Sequence, residues 1–324
     1  MTDESANSDS PICYQFDGKG GAEPVSPDGW KSSEATIWVA LDYSQPSHRD
    51  WLTQFSALDP LVIEALLAED TRPRTTVIRQ GLLIALRGVN LNPGADPEDM
   101  VSVRIWIDEN RIVTARRRAL LSVNDIMHEL EVGEGPATPA DFLTRLADRL
   151  VWRMTDTIEQ MEDKAAELEE SMLDSGQSSL RFDLASLRRQ AITLRRYLSP
   201  QRDALSRLVT EKVEWIDEMH RMRLRETTDS LIRHMEDLDA VRERAAVSQE
   251  ELLSRLSEQL NQRMYVLSIV AAIFLPLGFL TGLLGINVGG MPGAENPQAF
   301  WIFAALLLIA VAMQLLLFRW KKWL

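Results

Sequence analysis

The sequence predicts an α+β cytoplasmic domain followed by a long helical stalk and a two-helix transmembrane hairpin. Three observations support this fold class. Short apolar or alternating runs typical of strands are confined to residues 1–130. Residues 201–275 contain neither proline nor glycine. Two C-terminal segments, Met264–Leu284 and Ala299–Phe318, each offer the roughly 20 apolar residues that cross a bilayer.

In the first domain, four runs predict strands, and the last two form a hairpin around Asp108-Glu109-Asn110. The runs are residues 36–41, 81–89, 101–107 and 111–115. Helical spacing predicts one helix at Trp51–Leu67, between the first and second strands, and another at Val123–Leu130, after the last strand. We therefore expect a small α/β domain over 1–130 that regulates or assembles the protein and carries no chemistry of its own.

Helix-forming residues then dominate up to the membrane. Pro139–Asp174 predicts one helix, residues 175–179 a turn, and Leu180–Val209 a helix that returns beside the first. After a break near 213–217, a helix that continues to Leu284 would be roughly 100 Å long. We therefore divide the chain as follows. The α/β domain covers 1–130, the helical pair 137–212 and the stalk 217–263. The transmembrane helices cover 264–284 and 299–319, the loop between them 285–298, and a basic tail 320–324.

The distribution of charge predicts how the hairpin is oriented. Glu295 is the only charged residue between Arg263 and Arg319, and the loop between the spans has no lysine or arginine. The basic residues Arg255, Arg263, Arg319, Lys321 and Lys322 lie outside the two spans. Because basic residues favour the cytoplasmic side, both termini are expected in the cytoplasm.

Composition excludes several classes of function. A net charge of -13 argues against a nucleic-acid partner and provides acidic surface, which suits cations but is also ordinary for solubility. No signal peptide is expected at the N-terminus, and the single Cys13 excludes an internal disulfide. No catalytic triad, phosphate-binding glycine loop or metal-hydrolase motif occurs, so neither an enzyme nor nucleotide binding is predicted. Cys13 and the four histidines form no HxxxH or CxxC pair, so no zinc-ligand set is visible: His48, His128, His220 and His234.

Two heptad patterns run along the stalk. Apolar residues recur every seven positions: Leu224, Leu231, Leu238, Ala245 and Leu252. Acidic residues recur on another side and are joined by Asp239: Asp229, Glu236, Glu243 and Glu250. These acids predict a cytoplasmic acidic funnel that gathers cations, although a solvated helix face would give the same pattern.

The same steps of three and four residues continue into the first span. They place Met264, Leu267, Ala271, Leu275 and Gly278 along one side of a helix. Copies arranged around an axis would line a narrow apolar pore, which can block ions by dewetting. Packing of this side against lipid or the second span is the alternative. Two helices cannot enclose a pore, so conduction requires an oligomer.

The loop after the first span carries a recognisable motif. Gly285-Ile286-Asn287 stands where the CorA-type divalent cation transporters have a Gly-Met-Asn signature, and the chain resembles that family. Ile286 and the continuation Val288–Gly293 look like the zinc-transporting ZntB branch. Three further segments are similar to that branch: Thr71–Arg74, Tyr197–Asp203 and Phe274–Gly282.

The resemblance implies a CorA-like funnel-shaped homopentamer in the bacterial inner membrane, with a central pore lined by the first span. Asn287 would lie at the periplasmic mouth, in a loop set with Gly285, Ile286 and Glu295, and would contact the hydrated ion through its amide oxygen. Ile286 replaces the signature methionine and Gly278 replaces a polar residue of the magnesium-transporting members, so magnesium selectivity is in question.

The function implied is Zn²⁺ uptake coupled to protons, with Cd²⁺, Ni²⁺ and Co²⁺ as further candidate ions and no cofactor. The alternatives are a gated magnesium or cobalt channel, zinc efflux, or a membrane-anchored sensor that conducts nothing. The expected partners are other copies of the chain, the lipid bilayer and divalent cations. The spans contain no Asp, Glu or His, so any proton coupling must be carried by the cytoplasmic histidines or the funnel acids.

Overall fold

The computed structural model describes residues 10–31, 35–69, 71–172, 177–285 and 296–321. The chain divides into two compact units, Met1–Gln249 and Glu250–Leu324. The first contains a mixed sheet with helices, and the second contains two long apolar helix segments. This is the α+β fold with a helical stalk and two C-terminal spans that the sequence predicts.

The first unit is built on a sheet of seven strands in the order β2-β1-β3-β7-β6-β5-β4. The strands are β1 (Ile12–Phe16), β2 (Ala22–Pro24), β3 (Ile37–Asp42), β4 (Arg74–Ile78), β5 (Gly81–Gly88), β6 (Val101–Ile107) and β7 (Arg111–Arg116). Neighbours are antiparallel except β3 and β7, which are parallel. The predicted β6–β7 hairpin is present. Sequence reasoning missed β1, β2 and β4, which are short and bury few side chains.

The helices are α1 (Pro46–Asp50), α2 (Pro60–Leu67), α3 (Leu121–Glu131), α4 (Pro139–Trp152), α5 (Thr155–Ser171), α6 (Gln177–Thr210), α7 (Glu218–Gly285) and α8 (Ala299–Trp320), with a π-helical turn at Trp51–Phe55. The chain is not helical between Thr210 and Glu218, in the region where the sequence allows a break.

Two helices that the sequence predicts as continuous are interrupted. The run Trp51–Leu67 is broken before α2, where Ala57 has a φ of 53° and the Asp59 side chain caps α2 by accepting from the Leu61 N–H. The helix predicted from Pro139 is divided after α4. There Arg153 donates to both carboxylate oxygens of Asp125 on α3, at 2.6 Å each. The predicted helix end at Asp174 lies outside the described residues.

Both faces of the sheet are covered, which explains why β3 is buried along nearly its whole length. On one face, the Trp38 ring lies 4.8 Å from the ring of Phe142 on α4. On the other, Trp30 packs against Trp51 and Trp106 at 5.7 and 6.4 Å. A strand covered on both faces reads as a continuous apolar run rather than an alternating one.

The helical part of the first unit is bound to the sheet through α6. The Thr75 hydroxyl on β4 donates to the Ala204 carbonyl at 2.9 Å. Gln201 exchanges two hydrogen bonds with the backbone of Arg87 on β5, at 2.7 and 3.0 Å. The α7 stripe Leu224, Leu231, Leu238 and Ala245 is at most 1% exposed, so this apolar side packs within the unit.

Candidate functional site

The predicted pore-lining side of α7 is uncovered within a single chain. Met264, Leu267 and Leu275 are 65%, 69% and 72% exposed. Apart from the adjacent backbone of the helix itself, no described atom lies within 4 Å of where a Cβ would stand on Gly278. Val266, on the other side of the helix, is 60% exposed. Exposure in one chain therefore does not distinguish a pore from a lipid-facing surface. Uniform absence of charge along the stripe is what suits a dewetting gate.

The polar groups within the first span are mostly satisfied by the helix itself. The Ser268 hydroxyl donates to the Met264 carbonyl at 2.8 Å, and the Thr281 hydroxyl donates to the Leu277 carbonyl at 3.0 Å. Pro276 interrupts this ladder, because a proline has no N–H to offer the carbonyl four residues earlier. In a regular helix this proline leaves the Ala272 carbonyl without its usual N–H donor.

The predicted mouth loop, 285–298, is described only at its two ends, Gly285 and residues 296–298. Gly285 ends α7, whereas Ile286, Asn287 and Glu295 lie outside the described residues. Their roles stay predictions. The description resumes at Asn296, whose side-chain oxygen accepts from the Gln298 N–H at 2.9 Å just before α8 begins.

The five predicted funnel acids do not share one environment. Asp229, Glu236, Glu243 and Glu250 are exposed and form no ion pair with any described residue. Asp239 is held by Arg195 of α6 and by Arg242, each at 3.1 Å. Its carboxylate is therefore already neutralised by two guanidinium groups, and four acids per chain remain available to attract cations.

The histidines are separate from one another. In the described part of the chain, no three residues among His, Cys, Asp and Glu come together as a metal site. His220 lies beside Asp217, with its Nδ1 2.6 Å from a carboxylate oxygen that also accepts the His220 N–H. The Asp217 carboxylate thus caps the start of α7, and His220 lies against it in the first turn. His48 is buried and accepts the Asp42 N–H on Nδ1 at 2.9 Å.

His234 lies in an enclosed setting, and its side chain is 14% exposed. Its Nε2 lies 3.4 Å from the Thr155 hydroxyl at the start of α5. Burial lowers the pKa of His234, because the protonated ring is poorly solvated there, and Asp237 and Glu159 partly oppose the shift. Burial at this position therefore favours the neutral form of His234.

Comparison with known proteins gives a consistent result over the whole chain. The family model described as "CorA-like Mg2+ transporter protein" matches residues 33–322. The chain is 37% identical over 317 residues to the zinc transport protein ZntB of Yersinia enterocolitica, covering 98% of this chain and 97% of that protein. It is 39% identical over 323 residues to the divalent cation transporter CmaX of Pseudomonas aeruginosa, covering 96% of each.

Solved structures agree with these relatives. The structure of the full-length CmaX protein superposes with a TM-score of 0.87 at 39% identity and covers 99% of this chain and 100% of that one. The CorA magnesium transporter from Methanocaldococcus jannaschii superposes with a TM-score of 0.83 at 18% identity, covering 97% and 99%. At that identity the second likeness concerns the fold alone.

Proposed function

This chain belongs to the family of CorA-like Mg²⁺ transporter proteins, and from that premise we propose that it carries Zn²⁺ across the bacterial inner membrane through the central pore of a homopentamer. Membership establishes the coarser statement, which is metal ion transport by a membrane protein. The relatives are named as transporters and not as enzymes.

The uncharged stripe on the first span is the observation that carries the proposal. Five copies of Met264, Leu267, Ala271, Leu275 and Gly278 around an axis would form a narrow apolar gate. A hydrated cation would meet the Asn287 amide oxygens at the mouth, pass when the gate widens, and leave towards Asp229, Glu236, Glu243 and Glu250. In this orientation both termini lie in the cytoplasm, as the flanking basic residues favour.

Zinc as the cargo rests on the ZntB relatives and on the loop residues that resemble them. Passage requires a weakly held ion, since tight tetrahedral ligation would slow its release. The lack of a histidine and cysteine cluster among the described residues suits such passage. Coupling of uptake to protons is part of the proposal, and His234 and the exposed acids of α7 are its candidate carriers.

A broader divalent cation channel is the second candidate. It is favoured by the family's description as Mg²⁺ transporters and by the description of CmaX as a divalent cation transporter. Because a pore that handles hydrated ions discriminates weakly between them, the same stripe would serve either cargo.

Flux measurements separate these candidates. Purified protein is reconstituted in liposomes loaded with a fluorescent zinc reporter, with a magnesium reporter in a parallel set and a pH gradient imposed in each. We expect zinc influx that rises with an inward proton gradient. Flux that is independent of the gradient and prefers magnesium would favour the magnesium or cobalt channel instead. Absence of flux for both ions would favour the membrane-anchored sensor that conducts nothing.

Asn287 gives the sharpest single-residue test of the mouth. We expect Asn287→Ala to abolish zinc flux, because the amide oxygen that meets the hydrated ion is removed. Asn296→Ser is the matched control, since it deletes another amide near the loop while its hydroxyl can still accept the Gln298 N–H. Unchanged flux in Asn287→Ala would defeat this role for Asn287.

A further inference from the structure

A cavity of about 390 Å³ lies in the α/β domain, and none of the residues assigned to transport lines it. Four of its lining residues are arginines: Arg87, Arg104, Arg117 and Arg118. Glu69 is the acidic residue in the lining. Such a basic cavity is unexpected in a chain with a net charge of -13 that handles cations.

Arg104, on β6, is the central feature of this cavity. It is 1% exposed, and its Nη2 donates to the Glu69 carbonyl at 3.3 Å while its guanidinium lies 4.7 Å from the ring centre of Tyr43. Its Nε and Nη1 have no hydrogen-bond partner among the described residues. A buried guanidinium with unpaired N–H groups is costly, and proteins normally provide such donors with an acceptor.

The other arginines have different roles. Arg118 is paired with Asp99, and Arg87 donates to the carbonyls of Met100 and Thr71, each at 3.0 Å. Arg117 is exposed and forms no ion pair with a described residue. The cavity thus presents two cationic side chains, Arg104 and Arg117, that no described carboxylate neutralises.

We propose that this cavity binds a soluble anion that carries phosphate groups. A dianion matches the two charges that no described carboxylate neutralises, and a guanidinium fork matches the oxygens of a phosphate. The volume is within the range of small-molecule sites, so it accommodates a diphosphate or a phosphorylated metabolite. Arg104 donates from Nε and Nη1, and Arg117 closes the site from the surface.

Titration calorimetry on the detergent-solubilised full-length protein, with pyrophosphate as the probe, tests the site. We expect wild type to bind, and Arg104→Met to bind about 10- to 100-fold more weakly, as for loss of hydrogen bonds to a charged group. Arg181→Met is the matched control, because Arg181 is exposed on α6 and does not line the cavity. The ligand-free thermal midpoint of Arg104→Met should not fall below that of wild type, since a buried charge with unpaired donors is removed.

Arg117→Glu provides a second test that does not touch the core. Charge reversal at this exposed position should weaken pyrophosphate binding by about tenfold or more without altering the fold. A soluble short-chain phosphatidic acid is titrated in parallel. Failure of wild type to bind pyrophosphate, binding of the lipid alone, or equal affinity in Arg104→Met and wild type would overturn the proposal.

Discussion

The setting of His234 has a consequence for pH dependence. Its pKa is lowered from 6.5 because burial penalises the charged ring. The unfolded chain therefore takes up this proton at a higher pH than the folded protein does. Stability is lost as the pH falls below 6.5, and the loss is complete below the folded pKa. The charged groups that face the ring are Asp237 and Arg233 on α7 and Glu159 on α5.

We expect His234→Gln to flatten this part of the stability profile. Between pH 7 and about 5, where histidine titrates, the melting temperature of wild type should fall more than that of the variant. The matched control is His128→Gln, because the His128 side chain is 76% exposed. Superimposable profiles for wild type and His234→Gln would show that the pKa of this ring is the same in the folded and the unfolded chain.

The role of a residue could be predicted from the sequence where it follows from a local pattern. It could not be predicted where it depends on a side chain from another element. The heptad of acids on α7 is visible in the sequence, but the ion pair between Asp239 and Arg195 depends on how α6 packs against α7. Arg104 occupies a polar position of the alternating run in β6, and such positions normally face solvent. Only the tertiary structure buries it, so the cavity could not be predicted.

At the scale of elements, α7 changes its role along its length. In the first unit its apolar stripe is buried, so Leu231→Ala should cost about 2–5 kcal/mol by leaving a cavity. Val247→Ala on the same helix should change stability by less than about 0.5 kcal/mol, because Val247 is 56% exposed. Denaturation followed by tryptophan fluorescence measures both. A shift for Leu231→Ala no larger than that for Val247→Ala would contradict the packing of this stripe.

Beyond the first unit, cysteine substitution tests which side of α7 faces water. Native Cys13 is a silent background, since it is buried and its pKa is raised to about 12 by desolvation. A membrane-impermeant cationic thiol reagent should modify Leu267→Cys and Leu275→Cys and block zinc flux. Ile273→Cys and Leu280→Cys, on the opposite side of the helix, should be unaffected. Equal reactivity of both pairs would exclude this stripe as the pore lining.

Elements with strong periodicity could be predicted well, and their interruptions could not. The β6–β7 hairpin and the two C-terminal helices follow from local patterns. The division between α4 and α5 falls at Arg153, which pairs with Asp125 of α3, and no local pattern encodes that long-range contact. β1 and β4 carry no strong strand pattern in the sequence, and they form strands because β3 and β5 supply their hydrogen-bond partners.

For the whole molecule, the proposed assembly predicts a mass. Native mass spectrometry of the solubilised protein should give about five times the 36.7 kDa of one chain, because two apolar helices per chain cannot enclose a pore. Asn287→Ala should retain this mass, since the substitution removes an ion contact and no packing. A monomer or dimer that still conducts zinc would contradict a central pore.

The pairing of β3 with β7 sets an order of events during synthesis. The sheet cannot close until Arg116 has left the ribosome, and its anchors on α6, Gln201 and Ala204, follow later. The first membrane segment, from Met264, is translated last among these parts. At roughly 5–20 residues per second, about 7 to 30 s separate Arg116 from Met264. The α/β domain can therefore finish folding before the first apolar segment must enter the bilayer.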